Sequence, residues 1–463
     1  MLHQKVYLLS DERMALHDII SNSHSKNFKD TNENSAEGRE ESPCGTEEAP
    51  LENYSRIAAI KQRLMRLEYK FASRMFPWVC NQQLYSSREL GRDETRMDLV
   101  GVLNTNHSIR IIPLPCKPAS RQTIELAHSP EHYARMKRTS ELTTKQLQAM
   151  TDPDDLYYNN WTFSAATLAA GGVVECVNAV TAFQPASTRA IALVRPPGHH
   201  ALRDKPMGFC YFNNIAIAAK HAIHTGRASK VFILDWDIHH GNGIQEITYD
   251  DPNIFYLSIH RASKSEKHWF YPGSGDSSEV GSGSARGTNL NIAWGQGGMG
   301  DTEYAEAFRT IVLPALETFS PDLIIVACGL DAAKGDLLGD CGLSPAMFYA
   351  MTNSLLKTCG QKIPIVIAQE GGYNANLNAD CMEGIALALL GEPWKEDSTD
   401  YQETTFWSSK SILPQHKREV LQTMNPYTIE KYYTKRTDDH QNLINIHALA
   451  SIRRTNRAFL RVR

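Results

Sequence analysis

The sequence predicts an α/β protein built on a parallel sheet covered by helices on both faces, and three observations point there. From about Ser164 onward, short β-branched runs alternate with longer segments of helical period. The runs are apolar throughout, the pattern of strands buried on both sides. Each unusual polar cluster directly follows one of these runs, at the carboxyl end of a strand, where open parallel sheets place their ligand sites.

In chain order, Val6-Tyr-Leu-Leu reads as a first strand and Arg56-Ile-Ala-Ala-Ile-Lys-Gln-Arg-Leu as a helix. Between them, residues 21–53 are rich in Ser, Asn, Glu, Lys and Gly with almost no large apolar side chains. Burial cannot offset their ordering entropy, so a flexible surface insertion is expected there. Further strands are expected at Ala190 to Val194, Val231 to Leu234, Ile254 to Ile259, Leu323 to Ala327 and Ile363 to Ala368. Helices are expected near Asn213 to His224, Glu303 to Phe319, Pro345 to Cys359 and Asn378 to Leu390. After Trp394 the alternation stops. The expected organisation is one large domain over residues 1–395 and an extension over 396–463 that is partly helical or disordered. The basic end of that extension, Arg453 to Arg463, reads as a solvated helix face or as a localisation or binding patch.

A chain of 463 residues, 42% hydrophobic and 22% charged, is ample for a large core. A formal net charge of -4 gives no overall basic field, so non-specific nucleic-acid binding is not expected. The nine cysteines include no C-x-x-C pair and read as reduced thiols of an intracellular protein. The first residues lack a signal-peptide pattern, and no apolar run is expected to reach the roughly 20 residues that cross a bilayer.

Two histidine pairs carry the chemistry: Arg195-Pro-Pro-Gly-His199-His200 and Asp235-Trp-Asp237-Ile-His239-His240-Gly-Asn242-Gly. In an extended segment residues two apart project to the same face, so Asp237 and His239 offer one oxygen and one nitrogen to the same cation. Asp331, in Cys328-Gly-Leu-Asp331, adds a second carboxylate. Three mixed ligands leave a position open, which means catalysis and not a structural metal. Zinc is the first choice, and Fe(II) or Mn(II) also suit two carboxylates and one imidazole. No second DxD accompanies Asp331, so one metal is expected. His199 and His200 are the candidate bases, since an imidazole titrates near the working pH. Asp235 is the expected partner of His199 and favours its charged form; Asn242 is a neutral partner that leaves His200 freer to take and return a proton. Tyr373, in Glu370-Gly-Gly-Tyr373, is placed to donate its hydroxyl to an oxyanion opposite the metal. His240 is assigned only packing and hydrogen bonding.

With these residues the chain resembles the zinc-dependent histone deacetylases, class II, which have the arginase-like deacetylase fold. The matching segments are Arg195-Pro-Pro-Gly-His-His, Pro206-Met-Gly-Phe-Cys-Tyr-Phe-Asn213, Asp235-Trp-Asp-Ile-His-His-Gly-Asn-Gly, Tyr271-Pro-Gly-Ser-Gly, Asp331-Ala-Ala and Glu370-Gly-Gly-Tyr-Asn374. The resemblance implies a central, mostly parallel eight-stranded sheet with helices on both faces. It implies zinc on Asp237, His239 and Asp331, His200 as main general base and acid, and His199 as its electrostatic neighbour. Gly208, Phe209 and Tyr271 match the tunnel around the acyl-lysine stem, Asp155 matches a rim aspartate that holds substrate backbone, and Arg56 matches an arginine of the inner acetate pocket. The family also binds monovalent cations, potassium among them, and Asp235, Asp237 and Ser258 are the matching side chains.

Tyr373 stands where a weakly deacetylating branch has histidine, which favours an active enzyme. Leu338 stands where acetylpolyamine deacetylases have a gatekeeper glutamate, which favours acyl-lysine in a peptide. The leading expectation is a nuclear or cytoplasmic enzyme that hydrolyses N-ε-acetyl-lysine in histones or other proteins, with a corepressor complex as partner and no direct sequence-specific contact to nucleic acid. The alternatives are an acetylpolyamine or small-amide deacetylase and a largely scaffolding subunit.

Overall fold

Side-chain alternation along the strands sets the architecture. The structure, a computed structural model, describes residues 4–17, 51–75, 110–152, 155–183, 185, 187–262, 269–359 and 363–394. Its strands are β1 (Val6–Ser10), β2 (Ile111–Leu114), β3 (Arg189–Leu193), β4 (Val231–Asp235), β5 (Ile254–Arg261), β6 (Asn289–Trp294), β7 (Leu323–Cys328) and β8 (Ile365–Gln369). They form one eight-stranded sheet in the order β2-β1-β3-β8-β7-β4-β5-β6. Every pairing is parallel, so both faces must be covered.

Every residue of β3, β4, β7 and β8 is buried, and successive side chains enter different cores. Ile191, Leu193, Phe232, Leu234, Ile324, Val326 and Ile367 point to one face, where the helices Ser55–Met75, Pro345–Thr358 and Ala375–Leu390 pack. Ala190, Ala192, Val231, Ile233, Ile325, Ala327, Val366 and Ala368 point to the other, under the helices Thr162–Val180 and Asn214–His224.

Several expectations are corrected. Thr162–Val180 is 19 residues long, with mean hydropathy 1.4 over an 18-residue window, so one apolar stretch does approach membrane-spanning length. It is a core helix: 72% of that window is buried inside the protein. β2 and β6 escaped the sequence reading; β2 is half-buried and holds Pro113, and β6 carries two asparagines. The last strand begins at Ile365 and not at Ile363, because Pro364 has no N–H and pairs only through its carbonyl, which accepts from Ile324 N at 2.9 Å. The helix expected to Phe319 contains a π-helical turn at Phe308–Val312, just before Pro314, which cannot donate to the preceding turn. Of the insertion expected at 21–53, residues 21–50 lie outside the described residues. The boundary at 53 runs too far, since Glu52 is fully buried in ion pairs with Arg56 and Arg195. The extension 396–463, with its basic end, lies outside the described residues.

The sheet order has a consequence for function. β3, β8, β7 and β4 are the four strands followed by the polar motifs, and they are consecutive neighbours in the middle of the sheet. Their carboxyl ends therefore open into one crevice.

Candidate active site

β4 ends at Asp235, and the chain then turns so that Asp237 and His239 meet Asp331 from the end of β7. One donor atom from each of Asp237, His239 and Asp331 lies within 4.8 Å of the others, and all three residues are buried. His239 Nδ1 is 3.1 Å from Asp237 Oδ1 and 3.1 Å from Asp331 Oδ2. The remaining carboxylate oxygens are tied to backbone: Asp331 Oδ1 accepts from Ile238 N at 2.9 Å and Asp237 Oδ2 from Gly371 N at 2.8 Å. A Cβ at Gly371 would lie 2.3 Å from Asp331 Oδ2 and 2.5 Å from Asp237 Oδ2, so a side chain there cannot coexist with the two carboxylates.

Electrostatics favour a cation at this point. Burial raises the pKa of Asp331, and the neighbouring Asp237 raises it further, to about 7. Burial alone would lower that of His239, but hydrogen bonds to Asp237 and Asp331 raise it to about 9. The two buried carboxylates repel one another, and a positive charge held between them relieves that repulsion. The donor set fits zinc.

The histidine pair after β3 approaches this cluster. His199 Nδ1 is 3.2 Å from Asp235 Oδ2, and its Nε2 is 3.8 Å from Asp237 Oδ2. His200 Nδ1 donates to Asn242 Oδ1 at 2.7 Å. The two rings are 4.0 Å apart, and the His200 ring is 6.0 Å from that of His239. Burial opposes charge on both histidines, but Asp237 and Asp235 overcome it at His199 and raise its pKa to about 10. At His200 burial is reinforced by His199 and His239, and the pKa is driven well below 6.5.

Tyr373 follows β8. Arg56, from the first long helix, holds the loop from below: its Nε donates to Gly372 O at 2.5 Å, a terminal nitrogen donates to Glu370 O at 2.5 Å, and its guanidinium carbon lies 5.0 Å from the centre of the Tyr373 ring. Arg56 thus stands behind the tyrosine, paired with Glu52 at 3.0 Å. The Phe209 ring is 6.2 Å from that of Tyr373.

Phe209 adopts φ +62°, a left-handed conformation that costs a non-glycine residue on the order of 1 kcal/mol or more. Asp155 holds it there. The Asp155 carbonyl accepts from Phe209 N at 2.7 Å, and Oδ1 accepts from Gly208 N at 2.5 Å. The same Oδ1 accepts from the Tyr271 hydroxyl at 3.0 Å. Tyr271 packs edge-on against His200, with centroids 5.0 Å apart. Asp155, Gly208, Phe209, Tyr271 and His200 are therefore one connected assembly. Leu338 is half-buried, its N–H bonded to Asp336 Oδ1 at 2.9 Å. Of the residues matched to a monovalent cation, Asp235 and Ser258 are register partners on β4 and β5; Ser258 Oγ is 2.8 Å from His260 Nδ1.

Several participants escaped the sequence reading. Glu370 is buried, and its Oε2 accepts from Gly198 N at 2.7 Å and His199 N at 3.0 Å, fixing the backbone of the histidine pair. Burial pushes its pKa up to about 7. Phe270 stacks on His239 at 5.0 Å, and the Tyr256 hydroxyl donates to Asp235 at 3.0 Å. Glu52 carried the one available signal, an acidic residue four positions before Arg56.

A family model described as the histone deacetylase domain matches residues 92–389. Histone deacetylase HDA1 of Candida albicans is 38% identical over 288 residues, covering 61% of this chain and 34% of that protein. Polyamine deacetylase HDAC10 of Homo sapiens is 38% identical over 285 residues, covering 61% of this chain and 42% of that protein. The chain thus matches well under half of either relative. The crystal structure of the HDA15 HD domain superposes with a TM-score of 0.67 at 29% identity, covering 93% of this chain and 97% of that one.

Proposed function

The chain belongs to the zinc-dependent histone deacetylase family, class II, and on that premise we propose that it hydrolyses N-ε-acetyl-lysine in proteins to lysine and acetate. The observation that carries the reading is the convergence of a buried Asp237, His239 and Asp331 cluster with two histidines of opposite electrostatic character.

Asp237, His239 and Asp331 would hold the zinc, which when bound supplies Lewis acidity toward the acyl carbonyl and the attacking water. With Nδ1–H committed to Asn242, His200 presents Nε2 as an acceptor and takes the water proton. His199, kept cationic by Asp235 and Asp237, offsets the negative charge that develops on the substrate. The Tyr373 hydroxyl donates to the oxyanion. His200 then returns its proton to the leaving amine. Phe209 and Tyr271 flank the lysine stem, and the Asp155 carboxylate faces the substrate backbone.

Leu338 supports a peptide substrate, because an apolar side chain offers nothing to a second amine. Turnover of acetylated peptides and acetylspermidine by the zinc-loaded protein, compared as kcat/KM, tests the reading. Acetyl-lysine peptides are expected to be preferred, with His200→Ala lowering kcat by about 10²-fold or more. Full activity in that variant would overturn the mechanism, and a preference for acetylspermidine would overturn the substrate. Function in the nucleus or cytoplasm and assembly into a corepressor complex belong to the same proposal.

A further inference from the structure

We propose that Asp336 is the positioning residue for Tyr373 and that it couples the oxyanion side of the site to the loop carrying Leu338; the inference rests on the deacetylase reading above. Nothing in the mechanism uses this carboxylate, yet all its bonds go to backbone at the mouth of the site. Oδ2 accepts from Tyr373 N at 2.6 Å. Oδ1 accepts from Leu338 N at 2.9 Å and from Gly339 N at 3.3 Å. One side chain on the loop after β7 thus holds both its own turn and the residue that follows β8.

Tyr373 needs such a tether. It follows two glycines, and Gly372 has φ +111°, a conformation that side-chain packing cannot enforce. Arg56 grips the carbonyls of Glu370 and Gly372, which leaves the backbone from Tyr373 N onward to be held from the other side. A second tie runs in parallel: Asn374 Nδ2 donates to Gly335 O at 3.2 Å, while Asn374 Oδ1 caps the last helix at Leu377 N, 3.3 Å away. The loop that bears Asp336 is itself anchored, with Lys334 N bonded to Leu343 O at 2.9 Å and Asp336 N to Ala333 O at 3.1 Å. Arg56 and Asp336 therefore fix Tyr373 between them, and only Asp336 also reaches the Leu338 amide.

Asp336→Asn keeps the size of the side chain but sets an NH2 group against at least one backbone N–H. The decisive comparison pairs an acetyl-lysine peptide with the same peptide carrying trifluoroacetyl-lysine, whose electron-poor carbonyl needs less help from an oxyanion donor. Asp336→Asn is expected to lower kcat on the acetyl peptide by about 10- to 100-fold with KM little changed, while sparing the trifluoroacetyl peptide. In a Tyr373→Phe background the same change is expected to add less than about threefold, since the two residues act as one unit. Wild-type kcat in Asp336→Asn, equal losses on both peptides, or additive losses with Tyr373→Phe would each overturn the inference. If Asp336→Asn does not fold, Asp336→Glu, which keeps the carboxylate but displaces it, takes the same pair of peptides under the same criteria. A wild-type protein inactive on both peptides would overturn the deacetylase reading instead.

Discussion

His199 and His200 are neighbours in sequence with ring centroids 4.0 Å apart, yet their surroundings drive them to opposite protonation states. His199 lies between two carboxylates, with Asp237 3.8 Å from its Nε2 and Asp235 3.2 Å from its Nδ1, whereas His200 Nδ1 faces only the Asn242 amide oxygen and its ring neighbours His199 and His239. A carboxylate rewards a positive ring, whereas an amide orients it without charging it.

Converting the amide to a carboxylate should narrow this difference. Asn242→Asp places a negative charge beside His200, stabilises its protonated form and so raises its pKa. The acid limb of kcat/KM, below which the base is protonated, is expected to move to higher pH. A pH profile with the limb unmoved would mean that His200 is not the base.

Metal retention should depend on the missing side chain at residue 371. Gly371→Ala puts a Cβ 2.3 Å from Asp331 Oδ2, and the carboxylates must separate. Zinc affinity is expected to fall about 10- to 100-fold, read by competition with a chromogenic chelator. Wild-type affinity would show that the carboxylates have room to move.

Glu52 should be worth several kcal/mol. Its carboxylate is fully buried and bonded to Arg195 at 2.7 and 2.9 Å, Arg56 at 3.0 Å and the Tyr157 hydroxyl at 2.9 Å. Glu52→Gln leaves two buried guanidinium groups without their counter-charge and is expected to cost about 3–5 kcal/mol. Guanidinium chloride denaturation measures this; a cost under about 1 kcal/mol would mean that the pair is not buried in solution.

His128 should make the protein sensitive to mild acid. Burial, reinforced by His132, lowers its pKa to about 3, while its rings atoms serve Asn213 N at 2.8 Å and Leu202 O at 3.0 Å. The folded state binds the proton more weakly than the unfolded one. Its contribution is therefore complete above about pH 6.5 and is lost as pH falls from there toward 3. His128→Gln supplies a donor and an acceptor but no titration. Its stability deficit relative to wild type is expected to shrink by about 2 kcal/mol between about pH 7.5 and pH 5, at fixed zinc. Urea denaturation at the two pH values checks this, and an unchanged deficit would contradict it.

Much of this site is legible in the chain because its signals are short-range. Asp237 and His239 stand two residues apart just past the end of β4, in a turn and not in the extended segment expected, yet close enough in sequence to meet one partner, and the apolar runs of β3, β4, β7 and β8 mark strands buried on both sides. The misses share one cause. Glu52 looks like the end of a polar tract and becomes a buried counter-charge only because Arg195, 143 residues away, lies over it. Asp336 carries no local signal of a role, which emerges only where Tyr373, 37 residues on, donates to it. Thr162–Val180 has the composition of a membrane span, and only its neighbours make it a core helix.

The sequence by itself determined the parallel sheet and the placing of the His199-His200, Asp235 to Asn242, Asp331 and Glu370 to Tyr373 motifs after its strands, since each follows from residue identity at short spacing. The tertiary structure alone decided that β3, β8, β7 and β4 stand side by side, bringing His199, Glu370, Asp331 and Asp237 to one edge. Parallel strands pair only through crossovers, so their order in space is set by packing against two helical layers and by ion pairs closing long loops, not by local preference.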